Sequence, residues 1–146
     1  MSLNFEGKAP DLVFYSKRIS AQQQKVGFLV NKQTKRNLFS EKECKNVIGS
    51  MNTDQVLQIN DTDDTQAERI FQNVSISLFS LGSFISQSSG SDLFLNDQGI
   101  YELRDNATTV RTITSGNGDF IGATGYVVVI TDETPIRTNL VYFTHI

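Results

Sequence analysis

From Asn73 onward the chain alternates with a period of two, with Val74, Ile76 and Leu78 on one side of an extended backbone and Ser75, Ser77 and Phe79 on the other. That is the spacing of a strand with one face in a core and one toward solvent. The β signal then continues to the end. SDLFLNDQ (91–98) and GIYELRD (99–105) read as a hairpin in which Asn96 to Gly99 supplies the turn residues. TTVRTIT, FIGATGYVVVIT and TNLVYFTHI follow at the spacing of an antiparallel meander, with DETP as a polar connection before Ile136. Upstream, DLVFYSKRI (11–19) and KVGFLVNKQ (25–33) read as neighbouring strands joined by SAQQQ, and VLQIN (56–60) as a short strand. Seven or eight strands of this kind predict an all-β, antiparallel barrel or sandwich. Their glycine punctuation favours the barrel, because glycine relieves the bend where a strand coils.

One short helix is expected over residues 40–50. Ser40 and Glu43 form a capping box, Phe39 can staple onto Cys44, and Gly49 can end the helix. Cys44, Val47, Ile48 and Met51 recur at i, i+3, i+4 and i+7, so Cys44 reads as a small core residue rather than a nucleophile. Residues 60–68 read as an exposed acidic loop, with Thr65 and Glu68 allowing a brief helical turn. A calcium loop starting at Asp61 would need glycine sixth and glutamate twelfth, and those places hold Gln66 and Gln72.

The 146 residues fit one domain with a single continuous core. With 38% hydrophobic and 20% charged residues, and no apolar run of bilayer length, a folded soluble protein is expected. Net charge is −3, yet residues 1–45 carry nine basic and four acidic side chains against four and twelve in the remainder. In one compact domain the two halves interleave, so a mixed solvated surface accounts for this, and no aromatic and basic interleaving points to nucleic acid. The lack of a bilayer-length apolar run argues against a membrane span, and a transition-metal site is not expected, since the chain has one cysteine and one histidine, His145, read as a solvent-facing strand end. MSLNFEG lacks the pattern of a secretory leader, which leaves secretion open if a leader was removed. Sequons at Asn60, Asn73 and Asn106 arise readily in a chain rich in Asn, Ser and Thr.

The stretch TITSGNGDFIGATGYVVVI (112–130) runs from four clustered glycines into a β-branched strand. A phosphate cradle would need a helix there, so these glycines read as turn and bend positions. Thr114, Gly116, Gly118, Phe120, Gly122, Gly125 and Val127 resemble the T-x-G-x-G-x-F-x-G-x-x-G-x-V signature of the allene oxide cyclases and dirigent proteins. DLVFYSKRISAQQQKVG is similar to the D-L-V segment of the cyclases, and TNLVYFTHI to the aromatic closing strand of both groups. The resemblance covers most of residues 10–146 and weakens over 34–68. It implies an eight-stranded antiparallel barrel, no cofactor, an apolar small-molecule partner and a homo-oligomer, a trimer in related barrels. The cyclase glutamate has no assigned counterpart, since Glu6 cannot be placed on it, and the asparagine of the D-L-V strand falls near Ser16.

Such a barrel has room for filling side chains or one small ligand, with its mouth as the default pocket. Tyr15, Ser16, Tyr101, Tyr126 and Tyr142 are the candidate ligand-binding residues, and packing at barrel ends or at an oligomer interface explains the tyrosines more readily than catalysis does. Glu102 and Arg111 are the candidate catalytic residues: on neighbouring strands, a buried carboxylate beside a guanidinium suits acid-base chemistry. A surface ion pair is the alternative. Two functions remain open. One is a cofactor-free cyclase, isomerase or stereochemistry-guiding protein for an apolar substrate; the other is a non-catalytic binder of a hydrophobic ligand, or a filled barrel serving as an interaction module.

Overall fold

The computed structural model describes residues 9–104, 106–131 and 135–145. Glu6 with the rest of 1–8, most of the DETP connection, and the His145 side chain lie outside the described residues. Ten strands form: β1 (Leu12–Val26), β2 (Leu29–Phe39), β3 (Val47–Ile59), β4 (Gln66–Leu78), β5 (Gly82–Ser88), β6 (Asp92–Leu95), β7 (Tyr101–Glu102), β8 (Ala107–Gly116), β9 (Thr124–Thr131) and β10 (Ile136–His145).

Eight of them close into the expected antiparallel barrel. Pairing runs β1, β2, β3, β4, β5, β8, β9, β10, and β10 returns to β1 through Leu12↔Val141 and Ser16↔Arg137. The remaining two, β6 and β7, lie outside this ring: β6 pairs with the start of β4 through Ala67↔Leu93, and β7 pairs with β6. Alternate residues of each barrel strand point inward, which divides the interior into three layers. At one end Phe14, Leu38, Met51, Ile76, Phe84 and Val141 form an apolar layer, sealed by Phe120 edge-on to Phe84 at 5.1 Å. At the other, Val30, Leu57, Ile59, Ala67, Leu93 and Tyr101 form a smaller one. The belt between them is polar.

The glycine-rich stretch shapes the first end. Asn117 and the short 3-10 turn Gly118–Phe120 fold Phe120 over the opening, and its ring is buried. Gly125 takes φ +146°, and a Cβ there would stand 2.1 Å from the Tyr142 carbonyl oxygen of β10. Only glycine lets β9 and β10 approach so closely at this corner.

Three expectations are corrected. First, no helix forms over 40–50: residues 40–46 are turn and irregular chain, and Val47 begins β3. The helical spacing of Val47, Ile48 and Met51 coexists with a period-two pattern, Gly49, Met51, Thr53, Gln55, Leu57 and Ile59, every member of which is buried. Partner strands on both sides decided for the latter, and a Cβ at Gly49 would meet the Ser77 carbonyl oxygen of β4 at 2.1 Å. Cys44 is accordingly not core; it sits partly exposed in the turn at φ +55°. Second, SAQQQ is no connection: β1 runs through it, paired Ala21↔Thr34 to Gln24↔Asn31, and the chain reverses at Gly27 and Phe28. Long cross-strand pairing outweighs the low β propensity of glutamine here. Third, the acidic loop ends at Thr65, since Gln66 already belongs to β4, and it holds no helical turn. Asn60 and Asp63 each fold the loop by accepting bonds two residues on, from Thr62 and Thr65.

A candidate site in the cationic belt of the barrel

The belt is built by strand alternation. Along β2 the inward positions are Val30, Lys32, Thr34, Arg36 and Leu38, an apolar residue at each end and two cations between. The other strands repeat the scheme at the same height: Ser16 and Arg18 on β1, Thr53 and Gln55 on β3, Arg69 and Gln72 on β4, Ser86 on β5, Arg111 on β8, Arg137 and Asn139 on β10. The free volume they enclose is about 20 Å³, enough for about one water.

Neutral groups anchor the guanidinium stems. Arg69 Nε donates to Gln55 Oε1 at 3.0 Å and Arg111 Nε donates to Ser86 Oγ at 3.0 Å. Arg36 reaches Ser16 through long contacts of 3.4 Å to its carbonyl and hydroxyl oxygens. Lys32 Nζ donates to the Tyr101 carbonyl at 2.5 Å. Buried atoms without a hydrogen-bond partner remain among the described residues: Arg111 Nη2, Asn139 Oδ1 and Thr131 Oγ1.

Burial dominates the electrostatics. It pushes the Lys32 ammonium down to about 7, helped by the charges of Arg137, Arg18 and Arg69 and opposed by Glu102. Arg36, Arg69, Arg111 and Arg137 are pushed in the same direction, first by burial and then by neighbouring cations, with Glu102 opposing the shift at Arg36 and Arg137. A lysine in that position can release its proton, whereas a guanidinium keeps its charge and needs a counter-ion.

Among the described residues, one carboxylate answers this charge. Glu102, on β7, pairs with Arg18 at the mouth of the belt. Burial raises its carboxyl, but the hydrogen bond from Asn96 and the charges of Arg18 and Lys32 outweigh that and hold it below the usual range. The segment that carries Glu102 covers the barrel end. Asn96 Oδ1 accepts from the Gln98 and Ile100 amides to make the expected turn. Gln23 bonds Gly99 and Tyr101 at 2.9 and 2.8 Å, and the Tyr101 hydroxyl donates to the Asp64 carbonyl at 2.5 Å.

Of the residues singled out in the sequence, Ser16 and Arg111 line the belt, Glu102 guards its mouth, and Tyr101 closes the end layer. Glu102 and Arg111 are not a pair, because β7 is bonded to β6 while β8 lies between β5 and β9; their partners are Arg18 and Ser86. Tyr15, Tyr126 and Tyr142 alternate with inward residues and do not line the belt; Tyr15 and Tyr126 are half-buried, and Tyr142 is buried with its ring stacked on that of Tyr126 at 5.3 Å. Lys32, Arg36, Arg69, Arg137, Gln55 and Asn139 escaped the sequence reading. Their signal was present: in Val30, Lys32, Thr34, Arg36 and Leu38 the cations fall at the parity of the apolar residues, not between them. The basic excess of the first 45 residues thus goes partly inward instead of to a solvated surface, because Arg18, Lys32 and Arg36 all face the belt.

No family model and no curated sequence matches the chain. Solved structures do. A pyocyanin demethylase superimposes with a TM-score of 0.65 at 12% identity, covering 91% of this chain and 98% of that one. The likeness is one of fold, a barrel matched over nearly its whole length.

Proposed function

We propose that this protein binds a small molecule in the belt of its barrel. The observation that carries the reading is the belt itself: a continuous layer of buried cations and amides, with donor and acceptor atoms left unpaired, between two ordinary apolar layers. Buried polar groups cost free energy unless they are satisfied, so a barrel filled for stability alone would carry the apolar pattern through. The neighbouring fold supports the reading by analogy, since the name pyocyanin demethylase gives that barrel pyocyanin as its substrate.

Within this reading, the resemblance to allene oxide cyclases and dirigent proteins favours a cofactor-free reaction. Fixed guanidinium groups stabilise negative charge as it develops on a bound molecule, and Glu102 or Lys32 can exchange a proton with it. The apolar ligand implied by the resemblance suits the end layers; the belt asks in addition for a polar or charged group on it.

A filled barrel is the competing function, favoured by the small free volume of about 20 Å³. Native mass spectrometry of protein purified without refolding separates the two and also reports whether the chain forms the homo-oligomer we infer from related barrels. A stoichiometric adduct, or a saturable thermal shift with a panel of organic acids, phenols and neutral amphiphiles, is the expected result. Bare mass and no shift with any class would leave the filled barrel standing.

A further inference from the structure

We infer that the ligand is an organic anion, bearing a carboxylate, sulfonate or phosphate group that docks against Arg36, Arg69 and Arg111. The inference rests on the binding reading above and names the chemistry of its ligand. Six cationic side chains line the belt, Arg18, Lys32, Arg36, Arg69, Arg111 and Arg137, and Glu102 is the carboxylate that the described residues bring to it. That carboxylate is committed to Arg18 at the mouth. Deeper in, the acceptors recorded for Arg36, Arg69 and Arg111 belong to Ser16, Gln55 and Ser86, all neutral.

The belt encloses room for about one water, so a docking anion has to displace side chains, but the charge that would meet it is already in place. Each guanidinium comes from a different strand, β2, β4 or β8, so their forks converge across the barrel instead of lying along one face. Anchoring Arg69 and Arg111 through Nε to neutral acceptors orients each guanidinium without neutralising it. On Arg111, 5% exposed, Nη2 has no partner at all. Carboxylates and phosphates accept two parallel bonds from such a fork, and the low-dielectric surroundings strengthen them. The chain's own Glu102 shows how an anion sits at this entrance, and its place on the short β6 and β7 cover means that displacing the cover removes the resident carboxylate as it admits the incoming one.

The test uses the full chain at constant ionic strength set with sodium chloride, titrated calorimetrically and by thermal shift. The probes are inorganic phosphate, citrate and naphthalene-1-sulfonate, with naphthalene-1-methanol as the neutral control. Saturable binding of at least one anionic probe is expected, weakened about tenfold or more in Arg111→Met and in Arg69→Met, as the loss of a charge-assisted contact implies. Arg111→Lys, which keeps the charge without the fork, should fall between. Glu102→Gln should tighten anion binding by roughly threefold to tenfold, because a competing charge is gone. Without anion, Arg111→Met should melt no lower than the parent, since it removes an unpaired buried charge. Should either variant fail to fold, Arg111→Lys and Glu102→Gln still decide the matter. Identical anion affinity in the parent and Arg111→Lys, together with no effect of Glu102→Gln, would overturn the inference. Binding of the neutral control alone would overturn it while sparing the small-molecule reading, and binding of no probe would remove both.

Discussion

Lys32 gives the belt a signature that a single substitution can erase. Its folded pKa, about 7, lies below the ordinary 10.5, so the unfolded chain holds this proton more tightly than the folded one. Stability therefore rises with pH from near 7 to about 10.5, by at most about 1.4 kcal/mol per pH unit for this group. Below pH 7 the penalty of the buried ammonium is felt in full. Denaturant unfolding at a series of pH values should show this rise, and Lys32→Met should flatten it. A parent slope unchanged by that substitution would place the titration elsewhere. At Gly125 the issue is space: Gly125→Ala puts a methyl 2.1 Å from the Tyr142 carbonyl at a φ of +146°, and should cost about 2 kcal/mol in urea unfolding. The requirement for glycine was legible in the sequence as a bend. The inward charge at Lys32 was legible only in its parity with Val30 and Leu38.

Among the elements, β6 and β7 stand apart. They are two short strands, four and two residues long, held to the barrel by β4 on one side and by side chains of β1 and β2 on the other. Such a segment should open at lower free energy than the barrel strands. Hydrogen exchange should show the amides of 92–102 exchanging faster than those of β9 and β10, and an anionic ligand that replaces Glu102 should alter the former alone. Tyr101→Phe removes the bond to the Asp64 carbonyl and should cost about 1 kcal/mol, with faster exchange confined to this cover. The hairpin turn of this cover was readable from Asn96 and Gly99, because turn chemistry is local. Its role as a cover was not, because that depends on where β4 and β1 lie. The same contrast explains the missing helix: capping signals at Ser40 and Glu43 are local, whereas β3 is fixed by β2 and β4 on either side.

At the scale of the molecule, the barrel closes by pairing its first and last strands, Leu12 with Val141. The closing contact spans almost the entire chain, and loop-closure entropy must be overcome before it forms. Folding in stopped-flow experiments should therefore take roughly milliseconds to seconds, slow for a chain of this size. Phe14→Ala, which empties a 1% exposed core position on β1, should cost roughly 3–5 kcal/mol.

The sequence by itself determined that this chain is an antiparallel β protein, and its bend glycines favoured a barrel over a sandwich. Period-two alternation, turn residues and bend glycines are properties of neighbours along the chain. It also held Ser16, Tyr101, Glu102 and Arg111 as candidates, and each lies at the belt or the end it faces. Tertiary structure alone decided that Glu102 answers Arg18 and not Arg111. It alone assembled Arg36, Arg69 and Arg111 into one buried cluster, since residues 33 and 42 positions apart meet only when every strand between them takes its place in the ring. A strand such as β2 shows by parity that its cations face inward, but no single strand shows that they meet those of the others. That meeting becomes visible when closure turns the inward side of each strand toward the same axis.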